Sequence, residues 1–390
     1  MEHFFILGKN KTLSLSEINS KFPEAEIKTP QPEVALFSSE TLGDPTQTIS
    51  EMGGVVKIGE ISAQANAGEL KDKILEILED KIKDQEGKFK FGISYYGKRK
   101  LQIQKTGIEI KKELKSKGVN SRFVTSKDKT LSSVVVEQNK LTAKGAEIVI
   151  IDQKDKLLIG VTRAVQPFKQ LSFRDYNRPA RDSYSGMIPP KLAQIMINLT
   201  GISPDRDSYL LDPFCGSGTI ATEAALMGWK NVIGTDTSEK AIEDASENME
   251  WILEKNSITS LNWSFDTRDA RQISDQLKKA SVDAIVTEPY LGPQRERIDT
   301  DKTVPELEKL YSEALKDWEQ ILKPSGRIVM IWPFFTFNKK GLNPELDGLE
   351  IVPPLNRKQK EASELTSRDT IIYGRPDQKV WREIIILKKS

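Results

Sequence analysis

From about residue 208 the chain alternates short apolar runs with amphipathic stretches, and no other feature constrains its fold as tightly. SYLLD, NVIGTD, LNWSFDTRDA and VDAIVTE read as strands. Between them, apolar residues recur at helical spacing. One set is Ile220, Ala224 and Met227, closed by Gly228; a second helix covers roughly 238–254. A long third helix carries Val304, Leu307, Leu310, Tyr311, Ala314, Leu315, Trp318 and Leu322 on one face. GRIVMIWPF, DTIIYG and WREIIILKK then read as closing strands. This alternation predicts a Rossmann-like α/β domain over 201–390, a doubly wound and mostly parallel sheet.

In such a sheet a ligand lies beyond the carboxyl ends of the strands, so the candidate residues sit there. LLDPFCGSGT ends a strand in Asp212, passes Pro213 and Phe214, and turns through Gly216, Ser217 and Gly218 into a helix at Thr219. Glycine permits positive φ and lets backbone approach a ligand closely. The third glycine of a dinucleotide fingerprint is missing, since Ala221 or Thr222 stands there. An acid before the turn would repel a pyrophosphate and suits a cationic, amino-acid-bearing ligand. Asp236-Thr237 ends the next strand, placed to accept from both ribose hydroxyls. Asp269-Ala270 ends the third and suits an adenine amino group. An acid at each of three successive strand ends is the pattern of an S-adenosylmethionine site.

The fourth strand end reads Thr287-Glu288-Pro289-Tyr290. The order DPFCGSGT, GTD, DA and acid-Pro-Tyr resembles the amino-methyltransferases with an [Asp/Asn/Ser]-Pro-Pro-[Tyr/Phe] motif. Upstream, RDYNRPARD and GMIPPKLAQIMINL resemble the tRNA guanine-N2 methyltransferases of the archaeal and eukaryotic type. The resemblance covers roughly 165–335 well and the N-terminal half weakly. It implies S-adenosylmethionine as cofactor, tRNA as partner and the guanosine at position ten as target. Glu288, Pro289, Tyr290 and Thr287 would then carry catalysis. The family pattern is approximately Thr-Asp-Pro-Pro-Tyr-Gly, so one proline is missing here. Either Glu288 takes the acid's place or Thr287 does; a carboxylate is the stronger acceptor for two N–H bonds. Two other readings fit: methylation of ribosomal RNA or of an adenine amine in DNA, and a non-catalytic tRNA-binding protein with a decayed catalytic loop.

The N-terminal half reads as α+β, with short strands and loops over 1–57 and a THUMP-like RNA-binding domain, implied by the resemblance, over 58–165. A helix at 70–82, a strand at 89–97, a basic helix at 101–117 ending on Gly118, and strands at LSSVVVE, AEIVIID and LLIGVTRAVQ are expected. Residues 166–200 form a linker and a helix opened by Pro189-Pro190. Charge is uneven. Residues 87–145 hold 15 Lys/Arg against 4 Asp/Glu, a net of +11, and the rest holds 43 against 53, a net of −10. Such a split suggests that one region meets a polyanion. Lys98, Arg99, Lys100 and Arg122 are candidate RNA contacts; Arg174, Arg178 and Arg181 before the catalytic domain either grip phosphates or lock the two domains together, and Arg295 with Arg297 after its loop either contact RNA or are solvated. Cys215 is the only cysteine and His3 the only histidine, which disfavours a Cys/His zinc site and a Ser-His or Cys-His nucleophile. No metal is expected. No apolar run approaches the roughly 20 residues of a membrane helix, and a cytoplasmic location is expected.

Overall fold

The computed structural model describes residues 2–38, 42–83, 87–182, 187–293, 298–360 and 363–390. The chain forms two compact units, one of Met1–Lys11 with Glu24–Phe168, the other of Thr12–Pro23 with Lys169–Ser390.

The first unit is built on one sheet of β1 (Glu2–Leu7), β2 (Lys28–Gln31), β3 (Val34–Ser38), β4 (Val55–Ala65), β5 (Phe89–Tyr96), β6 (Ser121–Val124), β7 (Gly145–Gln153) and β8 (Lys156–Val165). Their order is β2-β3-β1-β4-β8-β7-β5-β6. The sheet therefore runs unbroken across the boundary expected at 57, which falls inside β4. Alternation sorts its side chains. Ile148 and Ile150 pack under the helices Leu70–Ile82 and Ile103–Ser116, while Val149 and Ile151 join Phe4, Val34 and Leu36 on the other face. Gly118, at φ +81, follows the second helix as expected.

Two elements differ from the sequence expectation. Residues Lys11–Lys21 form a helix rather than strand or loop. Leu13 and Leu15 alternate like a strand, but Thr12 to Ile18 are all buried, so packing overrides a weak local pattern. LSSVVVE is also helical, at Ser133–Gln138. The Ser132 hydroxyl caps it by accepting from the Val135 N–H, and only Val136 is buried.

The second unit holds β9 (Tyr209–Asp212), β10 (Asn231–Asp236), β11 (Asn262–Thr267), β12 (Val282–Thr287), β13 (Leu322–Phe335), β14 (Leu349–Ile351), β15 (Ile371–Tyr373) and β16 (Val380–Lys389). The sheet order is β11-β10-β9-β12-β13-β16-β14, with β15 also on β16. Neighbours from β11 through β13 are parallel; β16 runs antiparallel to β13. Both faces of the central strands β9 and β12 are covered, which is why those two are near-continuous apolar runs. Leu210, Ala284 and Val286 pack among residues of the Pro190–Leu199, Thr219–Leu226 and Glu239–Lys255 helices. Leu211 and Ile285 pack with residues of the Thr300–Ile321 helix. Among the described residues no helix is long and apolar enough to cross a membrane, and no cluster of His, Cys, Asp or Glu could hold a metal ion.

Candidate active site

From β9 the chain winds outward through β10 and β11, then returns to place β12 on the other side of β9. The carboxyl ends of β9 and β12 therefore flank the crevice where open α/β sheets take their ligands. A cavity of about 520 Å³ lies there, within the range of about 300–1,000 Å³ usual for small-molecule sites. Its wall includes Asp212, Pro213, Phe214, Gly216, Ser217 and Thr219 after β9, Asp236 and Thr237 after β10, Asp269 and Ala270 after β11, and Glu288, Pro289 and Tyr290 after β12.

The turn after β9 owes its shape to its glycines. Gly216 has φ +51 and a Cβ there would meet nothing within 4 Å; Gly218 has φ +79 and a Cβ would press on Ala245 at 3.1 Å. Gly216 is thus free of packing demands, while Gly218 is held by helix contact and does not itself line the cavity. The Asp236 carboxylate ties the turn to β10, accepting from the Gly216 N–H at 3.0 Å and the Ser238 N–H at 3.0 Å. Asp269 has a different neighbour. Arg271 donates to both its oxygens, at 2.9 and 2.5 Å, and this pairing holds the carboxyl below its ordinary range.

Asp212 lines the cavity, and Thr287 backs it. The Thr287 hydroxyl donates to Asp212 Oδ1 at 2.7 Å, and the two residues are 1% exposed or less. Burial pushes the Asp212 carboxyl up to about 7, against the Thr287 and Phe214 hydrogen bonds, with the Asp236 and Glu288 charges adding to the rise. A cation placed beside such a group favours its charged form. Thr287 is absent from the cavity wall, and its hydroxyl is spent on Asp212. Glu288 is on the wall. Tyr290 is 57% exposed at the rim. Its carbonyl accepts from the buried Tyr311 hydroxyl at 2.7 Å, which pins the loop to the long helix. Cys215 is buried, its thiol pushed up by desolvation, and its N–H donates to the Thr235 carbonyl. It is a packing residue.

Other candidates separate by burial. Arg174 donates two bonds to Glu223, at 2.6 and 3.0 Å, with both side chains nearly enclosed. Arg178 is 6% exposed and donates to the Thr219 hydroxyl at 2.5 Å and the Arg174 carbonyl at 3.0 Å. Neither presents a guanidinium to a phosphate; they fasten the Phe168–Tyr176 helix and its following segment to the helix after the glycine turn. Asn248 completes the fastening through Ala180 and the Ser217 carbonyl. Arg181 is exposed, over the Tyr176 ring at 5.6 Å. Arg295 and Arg297 lie outside the described residues. In the first unit Lys98, Lys100 and Arg122 are exposed. Arg99 is committed to Asp152 at 2.8 Å and to the carbonyls of Gln153 and Lys154. Lys98, Arg99 and Lys100 line a second cavity of about 660 Å³ with Lys105, Lys127, Lys129 and Phe123.

Sequence reasoning missed two contributors. Tyr311 is legible only as a member of an apolar helix face, without its hydroxyl's role. Arg382, on β16, pairs with Glu288 at 2.5 Å. Nothing in WREIIILKK singles it out, because the contact spans 94 positions.

Residues 178–336 match the family described as RMKL-like, methyltransferase domain, and residues 57–247 match a family described as DNA methylase. The chain is 37% identical over 163 residues to a tRNA (guanine(10)-N2)-dimethyltransferase of Methanothermobacter thermautotrophicus, covering 42% of this chain and 43% of that protein. It is 32% identical over 181 residues to the protein of the same name from Pyrococcus abyssi, covering 46% of this chain and 48% of that one. The chain spans about half the length of the curated relatives it matches. Among solved structures, TrmN from Thermus thermophilus aligns over 100% of both chains with a TM-score of 0.53 and 16% identity, a likeness of fold. The second unit has the class I methyltransferase fold.

Proposed function

We propose that the chain is an S-adenosylmethionine-dependent tRNA methyltransferase acting on the exocyclic N2 amine of a guanosine, with position ten of tRNA as its target. The observation that carries this reading is the meeting of four strand-end acids, Asp212, Asp236, Asp269 and Glu288, around one cavity. Relatives bearing the guanine-10 name supply the substrate.

The wall fits that cofactor. Gly216 leaves room for an amino-acid moiety beside the turn, and Asp212, whose carboxyl is raised by burial, would be drawn to its charged form by the ammonium. Asp236 keeps lone pairs for ribose hydroxyls beyond its two backbone donors. Asp269, already paired with Arg271, has lone pairs left for an adenine amine. When bound, the cofactor supplies a methyl group already activated on a sulfonium.

The remaining task falls to the chain's own residues. A guanine amine is a weak nucleophile because its lone pair is delocalised into the ring. Glu288 accepts hydrogen bonds from that amine, fixes the nitrogen in line and stabilises the positive charge it gains during transfer. Pro289 stiffens the loop, and the exposed Tyr290 ring stacks on the base, which must leave its own stack to enter. Lys98, Lys100 and Arg122 of the first unit, a THUMP-like RNA-binding unit in this reading, and Arg181 of the second contact phosphates. Arg174 and Arg178, paired with Glu223 and Thr219, have the locking role in this reading.

The test is incubation of the purified protein with S-adenosylmethionine and an unmodified tRNA transcript, followed by nucleoside mass spectrometry. N2-methylguanosine or its dimethyl form is expected, mapping to position ten. N6-methyladenine in a DNA substrate, or cofactor binding without any methylated nucleoside, would overturn the reading.

A further inference from the structure

Glu288 belongs to a loop that departs from the acid-Pro-Pro-aromatic pattern implied by the resemblance in two ways: a longer acid and one proline fewer. A longer side chain on a less rigid loop has more conformations in which its carboxylate misses the target. A positioning error of this kind is costly in rate, because only near-attack geometries react. Something else must restrain it.

The restraint is visible in the second unit. Arg382 Nε donates to Glu288 Oε1 at 2.5 Å, and the two side chains are 17% and 16% exposed. Arg382 lies on β16, opposite Pro333 on β13 and Tyr373 on β15. β13 separates β16 from β12, so the guanidinium crosses one strand to reach the carboxylate. No described residue of β16 lines the cavity. Among the described residues the strand's contribution to the wall is indirect, through this pair. One oxygen of Glu288 is taken by the guanidinium, and the other keeps its lone pairs for an incoming N–H.

We propose that Arg382 is a positioning residue for methyl transfer: it anchors Oε1 of Glu288 so that Oε2 is held at the substrate amine, replacing the restraint lost with the second proline. The inference rests on the reading of Glu288 as the amine acceptor. Arg382 touches neither methyl donor nor base, and it exchanges no proton. Its effect is on the orientation of a side chain, so it appears in the rate of the methyl-transfer step and not in ground-state binding.

The experiment is a double-mutant cycle on the full chain with Arg382→Gln, Glu288→Gln and the double variant, plus Arg382→Lys, read by single-turnover methylation of tRNA at saturating cofactor. Affinities for S-adenosylhomocysteine and for tRNA are measured on the same samples, which also report folding. Arg382→Gln is expected to slow transfer about 10- to 50-fold with both affinities within about twofold, and Arg382→Lys to recover part of the rate. In the Glu288→Gln background the Arg382 change should cost less than about twofold more. A wild-type rate in Arg382→Gln, or a full additional loss in the double variant, overturns the inference while the functional reading stands. If the wild-type chain forms no N2-methylguanosine, the reading and the inference fall together.

Discussion

Both units carry a charged cluster inside an eight-stranded sheet, and the two clusters have opposite characters. In the first unit Lys57 and Glu147 are 2% exposed or less and paired at 2.5 Å. Glu147 also accepts from the Ser94 and Thr162 hydroxyls, each at 2.6 Å, and Lys57 also donates to the Leu131 carbonyl. Both groups are held from within, in strands inside the sheet and away from any described cavity. In the second unit Asp212, Asp236 and Glu288 sit at strand ends, each held by protein donors yet each on a cavity wall. Position along the strand decides the outcome. A buried charge in mid-sheet can only fasten; at a carboxyl end it can also meet a ligand.

Changes at the two clusters should therefore separate catalysis from stability. The largest effect is expected from Glu288→Gln, which removes the charge facing the amine. Single-turnover methylation should fall by about 100-fold or more, while binding of S-adenosylhomocysteine stays within about threefold; an undiminished rate would move the acceptor role elsewhere.

Lys57→Met should do the reverse. It leaves Glu147 buried without its cation, at a cost of about 3–5 kcal/mol. Urea denaturation should show this loss, and Lys57→Met with Glu147→Leu should restore much of it. A loss below about 1 kcal/mol would mean that water reaches the pair.

Asp212 adds a pH signature. Its carboxyl lies at about 7 in the fold against an ordinary 3.8. The folded state thus keeps a proton that the unfolded chain releases, so this group's contribution to stability declines as pH rises from about 4 to about 7 and is level above. Thermal melts of Asp212→Asn should lack that decline. The stabilisation by S-adenosylmethionine, which carries the ammonium, should grow as pH rises through about 7, and a pH-independent shift would place the ammonium elsewhere.

The smallest effects belong to the exposed lysines. Replacing Lys98 or Lys100 by Gln should weaken tRNA binding a few-fold each and reduce the dependence on salt. Affinity flat from low to moderate salt would remove the phosphate account.

Much of the second unit was legible because its physics is local. Apolar runs covered on both faces, glycine at turns and an acid at each strand end are written in consecutive residues, and they located Asp212, Asp236, Asp269 and Glu288 on one wall. What stayed hidden depends on contacts distant in sequence. Arg174 and Arg178 read equally well as phosphate ligands or as locking residues in RDYNRPARD, and their buried partners Glu223 and Thr219 are visible only in the fold. Arg382 is one basic residue among many until the sheet order brings β16 within reach of Glu288. The helices at 11–21 and 133–138 eluded a periodicity argument, since burial of one and an N-cap on the other outweighed strand-like patterns.

The central claim is that the acceptor is an exocyclic amine held by Glu288. Its most direct test replaces the guanosine at position ten of a tRNA transcript with inosine, which lacks only the N2 amine, and follows methyl uptake beside the unaltered transcript. The account predicts uptake by the guanosine transcript and none by the inosine one, with equal binding of both. Uptake by the inosine transcript at a comparable rate would contradict it.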